Sequence, residues 1–258
     1  LPRHCLTLLD FTPTECNAII TRAIALKREH KAGKIYQPFV GKTLAMIFEK
    51  SSTRTRVSFE VGMAQLGGHA LFLAPGGTQM GRGEPIADTA RVLGRMCDMV
   101  MIRNHSHAAQ AEFAQYAGVP VINGLSELHH PCQLLADVQT FVEARGSIQG
   151  ATVAWVGDGN NMCHSFIHAA KQFDFKLRIA TPAGYTPDAA IMQEGAGNAL
   201  LCPSAPEAVQ GADLVVTDVW ASMGDEAQQA QRVRDFAAFQ VNSALMTQAH
   251  KDALFMHC

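Results

Sequence analysis

Five short segments bring together groups that could do chemistry. Ser51-Ser52-Thr53-Arg54-Thr55-Arg56 follows an apolar run and opens a helical one, in which Val57, Val61 and Ala64 share a face. A helix N-terminus offers free N–H groups and the positive end of the dipole, and hydroxyls and guanidinium groups there add charge-assisted donors. A phosphate suits that chemistry better than other small ligands, and the plainer reading is a Ser N-cap beside solvated arginines. Gly41-Lys42-Thr43 ends like a Walker loop, but the earlier glycine which that motif needs is Tyr36. In His129-His130-Pro131-Cys132-Gln133, Pro131 suits a first helical position and leaves His130 beside the N-cap, at the C-terminal edge of a sheet, where open parallel sheets bind ligands. There His130 can polarise a carbonyl and Gln133 can bond an amide, although most His-Pro pairs do no more than start a helix.

Gly157-Asp158-Gly159-Asn160-Asn161 begins like a dinucleotide fingerprint. Its third glycine is Met162, and the run 176–181 ends without an acidic residue for a ribose, so the asparagines suit a small zwitterion better. His164 and His168 are spaced as metal ligands can be, but no third ligand stands at a motif spacing, which favours a packed helical face. Asp218-Val219-Trp220-Ala221-Ser222-Met223-Gly224 offers a carboxylate and a hydroxyl for an amino group beside an apolar chain; its plainer reading is a loop with a solvated Asp. The fifth segment is His257-Cys258, and a thiol at a strand end is most often inert.

These segments need elements to hold them. Short apolar runs at 43–48, 69–73, 98–103, 119–123, 152–156, 176–181, 213–218 and 253–256 alternate with helix-length stretches, which predicts parallel strands buried on both faces. The first helix opens with Thr12 as N-cap, Pro13 in the first turn and Glu15 closing a capping box. The fold class expected is α/β: two doubly wound domains, each a central parallel sheet flanked by helices, joined by the helical stretch 130–145. At roughly 150 residues per domain, 258 residues suit one large domain or two small ones.

Composition narrows the function. Lys plus Arg total 21 against 23 Asp plus Glu, a net charge of -2, which provides no basic footprint for nucleic acid or for an anionic membrane. No apolar run approaches the roughly 18 residues of a membrane span, and the first residues lack the apolar core of a signal peptide. The seven cysteines are scattered and odd in number, unlike a secreted disulfide framework. A soluble, cytoplasmic protein is expected. The final Phe255-Met256-His257-Cys258 reads as a strand in mid-course, so the natural chain is expected to be longer.

In this order along nearly the whole chain, S-T-R-T at 52–55, H-P-C-Q at 130–133, D-G-N-N at 158–161, D-x-x-x-S-M-G at 218–224 and H-C at 257–258 resemble the carbamoyltransferases, on the ornithine side of that family. The resemblance implies a carbamoyl phosphate-binding domain over 1–130, a connecting helix over 131–147 and an ornithine-binding domain over 148–258. It implies that Ser52, Thr53, Arg54 and Thr55 hold the phosphate, that Arg103 bridges phosphate and carbonyl, that His130 donates to the carbonyl and that Gln133 binds the carbamoyl amide. Gln79 is then the residue of a mobile loop near the same ligand. Asn161, Asp218, Ser222 and Met223 would bind ornithine, Asp218 on its α-ammonium, with Cys258 beside the attacking δ-amine. Arg103, His130 and Cys258 are the catalytic candidates. No metal or organic cofactor is implied, and the assembly expected is a homotrimer or a multiple of trimers. Family members continue past H-C-L-P into a last helix that supplies another arginine. The alternatives are carbamoylation of putrescine or an acetylated ornithine, both lacking the free α-ammonium that suits Asp218, a non-catalytic binding module, and a Rossmann-type oxidoreductase.

Overall fold

The computed structural model describes residues 2–74, 83–221 and 229–258, and the chain divides into two units, 1–11 with 18–133 and 12–17 with 134–258. Gln79, Ser222 and Met223 lie outside the described residues.

The first unit alternates strand and helix: α1 (Pro13–Lys31, its first turn grouped with the second unit), β1 (Thr43–Phe48), α2 (Thr53–Gln65), β2 (His69–Leu73), α3 (Ile86–Met96), β3 (Met99–Arg103), α4 (His107–Ala117) and β4 (Val121–Leu125). The four strands are parallel in the order β2-β1-β3-β4. Two apolar layers sandwich the sheet, because successive side chains of a strand point to opposite faces. Ala45, Ile47, Val100 and Ile102 face Ala90, Phe113 and Ala117, while Leu44, Met46 and Met101 face Met63 and Phe59. α3 and α4 approach so closely that a Cβ on Gly94 would overlap the Ala117 carbonyl oxygen.

After α5 (Pro131–Arg145), the second unit runs β5 (Thr152–Val156), α6 (Asn161–Phe173), β6 (Lys176–Ala180), α7 (Ala189–Glu194), β7 (Ala199–Leu201), α8 (Ala205–Val209), β8 (Leu214–Thr217), α9 (Gln229–Phe236), α10 (Ser243–Met246) and β9 (Leu254–His257). Its sheet is also parallel, in the order β7-β6-β5-β8-β9. α6 is buried along most of its length, which accommodates the apolar run around Phe166 and Ile167. Both sheets use one device at the end opposite their ligand edge. Asp98, just before β3, accepts from Thr43 N of β1 at 2.8 Å, and Asp213, just before β8, accepts from Thr152 N of β5 at 2.8 Å. Each carboxylate takes the first amide of a neighbouring strand, which has no other ladder partner there.

The two-sheet α/β class agrees with expectation, and so does the capping box: Thr12 N donates to Glu15 Oε2 at 2.8 Å and Glu15 N to Thr12 Oγ1 at 3.3 Å. Two local expectations need correction. The strand expected at 119–123 starts two residues later; its Val121 O and Asn123 N bond the amide and carbonyl of Cys5, which lies against β4 as an added bridge. β7 is absent from the expected strands: it is a three-residue edge strand whose Leu200 and Leu201 are exposed. Val57 and Val61 stand on the helix α2 as expected and are exposed there, while Met63 is the residue that α2 buries.

Candidate active site

In the first unit the candidate residues stand at the C-terminal ends of β1, β3 and β4. Ser52 caps α2: its Oγ accepts from Thr55 N at 3.3 Å and lies 3.0 Å from Thr55 Oγ1. Thr53 and Arg54 are exposed in the same first turn. Thr55 Oγ1 in turn accepts from Arg103 Nη1 at 3.2 Å, and the same nitrogen reaches Gly124 O at 3.4 Å. The ladder between β3 and β4 shifts register between Ile102 and Arg103, so Arg103 leaves the regular pleat as the strand ends. The buried Gln110 amide closes that irregularity, donating to Asn104 Oδ1 at 2.9 Å and Leu125 O at 3.0 Å. The structure thus brings Ser52, Thr55 and Arg103 into one bonded chain of donors around the N-terminus of α2.

His130 and Pro131 open α5 as expected. Burial, and after it the charge of Arg103, push the His130 imidazole from 6.5 down to about 3. At neutral pH it is therefore a neutral ring with one N–H to give, near a guanidinium that supplies the positive charge. Gln133 is half-buried one turn into the helix. Cys132, the residue between Pro131 and Gln133, is pushed up to about 12 by burial and donates its thiol to Asn123 O at 3.4 Å, so it is no nucleophile.

In the second unit, Asn160 caps α6, its Oδ1 accepting from Met162 N at 3.0 Å and Cys163 N at 3.3 Å. Its other amide atom, Nδ2, donates to Asp218 Oδ2 at 2.9 Å, and Val219 N donates to Asp218 Oδ1 at 2.7 Å. Burial nevertheless raises the Asp218 carboxyl above its ordinary range, with the Asn160 and Val219 donors and the His257 ring opposing. An arriving ammonium would reverse that shift. Register places the end of the chain here as well: Thr217 pairs with His257, and Cys258 N donates to Thr217 O at 3.1 Å. Cys258 is exposed and its thiol is free of a disulfide.

Asn161 is the first residue of α6, and its carbonyl accepts from Ser165 Oγ at 2.7 Å. Both asparagines of this turn are expected beside a small zwitterion; Asn160 is spent on the helix cap and on Asp218. Two further features had no local signal. Asp158 pairs with Arg232, whose Nε bonds the Trp220 carbonyl, and Arg232 lies over the rings of Tyr185 and Phe236. Gly159 runs against the 185–187 segment, where a Cβ would overlap the Tyr185 carbonyl and the Pro187 nitrogen. This second glycine of the Gly-x-Gly is thus used for packing against protein backbone. His164 accepts from Asp188 N at 3.0 Å and His168 lies 2.7 Å from Glu194, so both rings are spent inside the unit, and no cluster of three metal-ligating side chains occurs among the described residues. No helix among them is long and apolar enough to cross a membrane.

Two family models cover the chain. Residues 3–143 match the aspartate/ornithine carbamoyltransferase carbamoyl-P binding domain, and residues 149–258 match the Asp/Orn binding domain of the same family. The ornithine carbamoyltransferase of Chromohalobacter salexigens is 60% identical over 99% of this chain and 84% of its own, and that of Nitrosococcus oceani 59% over the same shares. Among solved structures, the ornithine carbamoyltransferase of Pyrococcus furiosus superposes with a TM-score of 0.94 at 48% identity, covering 99% of this chain and 84% of that one. With both halves matched and relatives this close, the chain belongs to the aspartate/ornithine carbamoyltransferase family.

Proposed function

We propose that this protein transfers the carbamoyl group of carbamoyl phosphate to the δ-amine of L-ornithine, giving L-citrulline and phosphate. The observation that carries the reading is the Arg103–Thr55–Ser52 chain of donors at the N-terminus of α2, with the neutral His130 nearby. It offers several donors and positive charge to one small dianion. Ser52, Thr53, Arg54 and Thr55 hold the phosphate, Arg103 reaches from phosphate to carbonyl, His130 donates to the carbonyl oxygen and Gln133 takes the carbamoyl amide.

The chemistry then follows from charge. The neutral δ-amine attacks the carbamoyl carbon, the C–N bond forms and negative charge grows on the carbonyl oxygen; the C–O bond then breaks as phosphate leaves, and the departing phosphate takes the proton that the nitrogen loses. Donors set in advance at that oxygen, from Arg103, His130 and Thr55, stabilise the developing charge by about 3–4 kcal/mol each where they are well aimed. Holding two reactants in attack geometry contributes about 7–11 kcal/mol more. Asp218 takes the α-ammonium of ornithine, Asn160 fixes that carboxylate, Asn161, Ser222 and Met223 line the same substrate, and Cys258 stands beside the δ-amine. Gln79 joins the carbamoyl phosphate ligands. Residues 1–130 serve the first substrate, 131–147 connect, and 148–258 serve the second. The chemistry uses no cofactor. The active assembly is trimer-based and cytoplasmic.

Citrulline formation with ornithine, putrescine, N-acetylornithine and aspartate offered separately tests the reading. Turnover with ornithine alone is expected. Turnover with putrescine or acetylornithine at a comparable rate would remove Asp218 from its role, and binding of carbamoyl phosphate without turnover of any amine would leave a binding module.

A further inference from the structure

We propose that Ser126 is a positioning residue for His130, acting through the peptide bond between His129 and His130; the proposal rests on the reading of His130 given above. Ser126 and His129 are bonded reciprocally. Ser126 N donates to His129 O at 2.9 Å, while His129 N donates to Ser126 Oγ at 3.1 Å. The same hydroxyl lies 3.3 Å from His129 O, and Asn123 Nδ2 donates to that carbonyl at 3.3 Å and lies 3.4 Å from the hydroxyl. Asn123 is itself anchored, donating to Leu6 O at 2.9 Å. All of this is out of solvent: Ser126 and Asn123 are 0% exposed and His129 5%. A buried carbonyl with three donors around it cannot turn without leaving several of them unpaired, each at a cost.

The plane of the 129–130 peptide is therefore fixed on its N-terminal side. On its C-terminal side Pro131 keeps the preceding residue out of the helical region and in the extended one. Between these two constraints the His130 backbone has little freedom, and only its own side-chain torsions remain to aim the ring. Ser126 is the member of the cluster that meets both the N–H and the C=O of His129. His107 supports it from the other side, with Nδ1 3.1 Å from the Ser126 hydroxyl and its ring edge-on to His129 at 5.0 Å. None of these groups is assigned to a substrate, yet together they decide where the carbonyl donor points.

A turn that merely stabilises the fold would give the same hydrogen bonds, so the test is a double-mutant cycle on kcat in the full-length enzyme: Ser126→Ala, His130→Ala and the pair. A misplacement of about 1 Å in a catalytic donor costs roughly 100-fold. Ser126→Ala is expected to lower kcat by roughly 10- to 100-fold, with the KM for carbamoyl phosphate held within about 3-fold, and Ser126→Thr to recover most of the loss. In the His130→Ala background the same change is expected to alter kcat by less than about 2-fold, because residues that act as one unit are not additive. An equal fall in both backgrounds, or an unchanged kcat in Ser126→Ala, would overturn the proposal. A His130→Ala enzyme as fast as the natural one would remove the role of His130 itself, which separates the two failures. Should Ser126→Ala not fold, His107→Phe withdraws the ring nitrogen from Ser126 while keeping a ring against His129. It is expected to show the same non-additivity at smaller amplitude, and additivity there would equally sink the idea.

Discussion

Asn160 caps α6 with one end of its amide and holds Asp218 with the other, at 2.9 Å. One side chain thereby joins the end of β5 to the end of β8, strands that pair directly in the sheet. The cap fixes the oxygen of Asn160 toward the helix, so its NH₂ group can only face the carboxylate. Asp218 is thus held in one orientation by the protein itself. Because burial opposes its charge, the site is also energetically prepared for a cation.

Replacing Asp218 by Asn should weaken ornithine binding by about 1.5–3 kcal/mol, roughly 10- to 150-fold, the worth of a hydrogen bond to a charged group. Carbamoyl phosphate binding should be unaffected. Calorimetry with each substrate separates the two; an equal loss of both would mean that the second substrate has been misplaced. Asn160→Ala should repeat the ornithine defect and add about 1 kcal/mol of lost stability from the missing cap.

His130 sets a pH signature. Its folded value, about 3, lies below the ordinary 6.5, so the unfolded chain binds the proton more readily. The stability that comes from the neutral ring is complete above about pH 6.5 and is lost as pH falls toward 3, by at most about 1.4 kcal/mol per unit. Denaturant midpoints between pH 7 and 4 should fall less steeply in His130→Gln than in the natural protein. Parallel slopes would mean that His130 is not held neutral. For the same reason the acid limb of kcat should not follow a group near 6.5 that belongs to His130.

Arg54 is exposed in the first turn of α2 and is not tied to the fold as Arg103 is. Arg54→Ala should therefore leave the melting temperature within about 2 °C while weakening carbamoyl phosphate by about 2–3 kcal/mol, the loss of a charge-assisted contact. Unchanged affinity in calorimetry would refute the phosphate assignment at this turn.

Much of this was legible in the sequence because it is local. The apolar strand runs other than 119–123, the Thr12–Glu15 box and the proline after His130 depend on neighbours a few residues away, and they stand within a residue of where the pattern put them, although β2 and β9 are not buried on both faces. β7 escaped because its apolar run is only three residues long, too short to tell from a loop, and two of the three lie exposed on the sheet edge. β4 starts later because its ladder with β3 opens at Val100–Val121, just after Pro120, which has no N–H to give; Cys5, more than a hundred residues earlier, adds one further bridge at Ile122. In the site, Ser52, Thr55, His130 and Asp218 could be picked out by residue type at a strand end. The groups that aim them could not, since Ser126 against His129 and Asn160 against Asp218 are ordinary polar residues until the chain folds.

Arg232 carries the last expectation. It pairs with Asp158 at the turn after β5 and bonds the Trp220 carbonyl just beyond Asp218, with both charged side chains mostly buried. Asp158 is also tied through its backbone, Trp155 Nε1 donating to its carbonyl at 2.9 Å. That bond fixes the main chain from which the carboxylate projects. Arg232→Met keeps the apolar stem over Tyr185 and Phe236 but strands the carboxylate, which costs most where a buried charge has no other partner. Since both side chains keep some access to water, a loss of about 2–3 kcal/mol is expected, below that of a fully buried pair, and Asp158→Asn added to it should return most of that. Ornithine KM should rise in the single variant, because the 218–221 segment loses its tether, while carbamoyl phosphate KM stays constant. If Arg232→Met unfolds within about 0.5 kcal/mol of the natural protein, the pair contributes nothing and the turn is held by Trp155 alone. If the double variant stays as weak as the single, the guanidinium acts through the Trp220 carbonyl and not through Asp158.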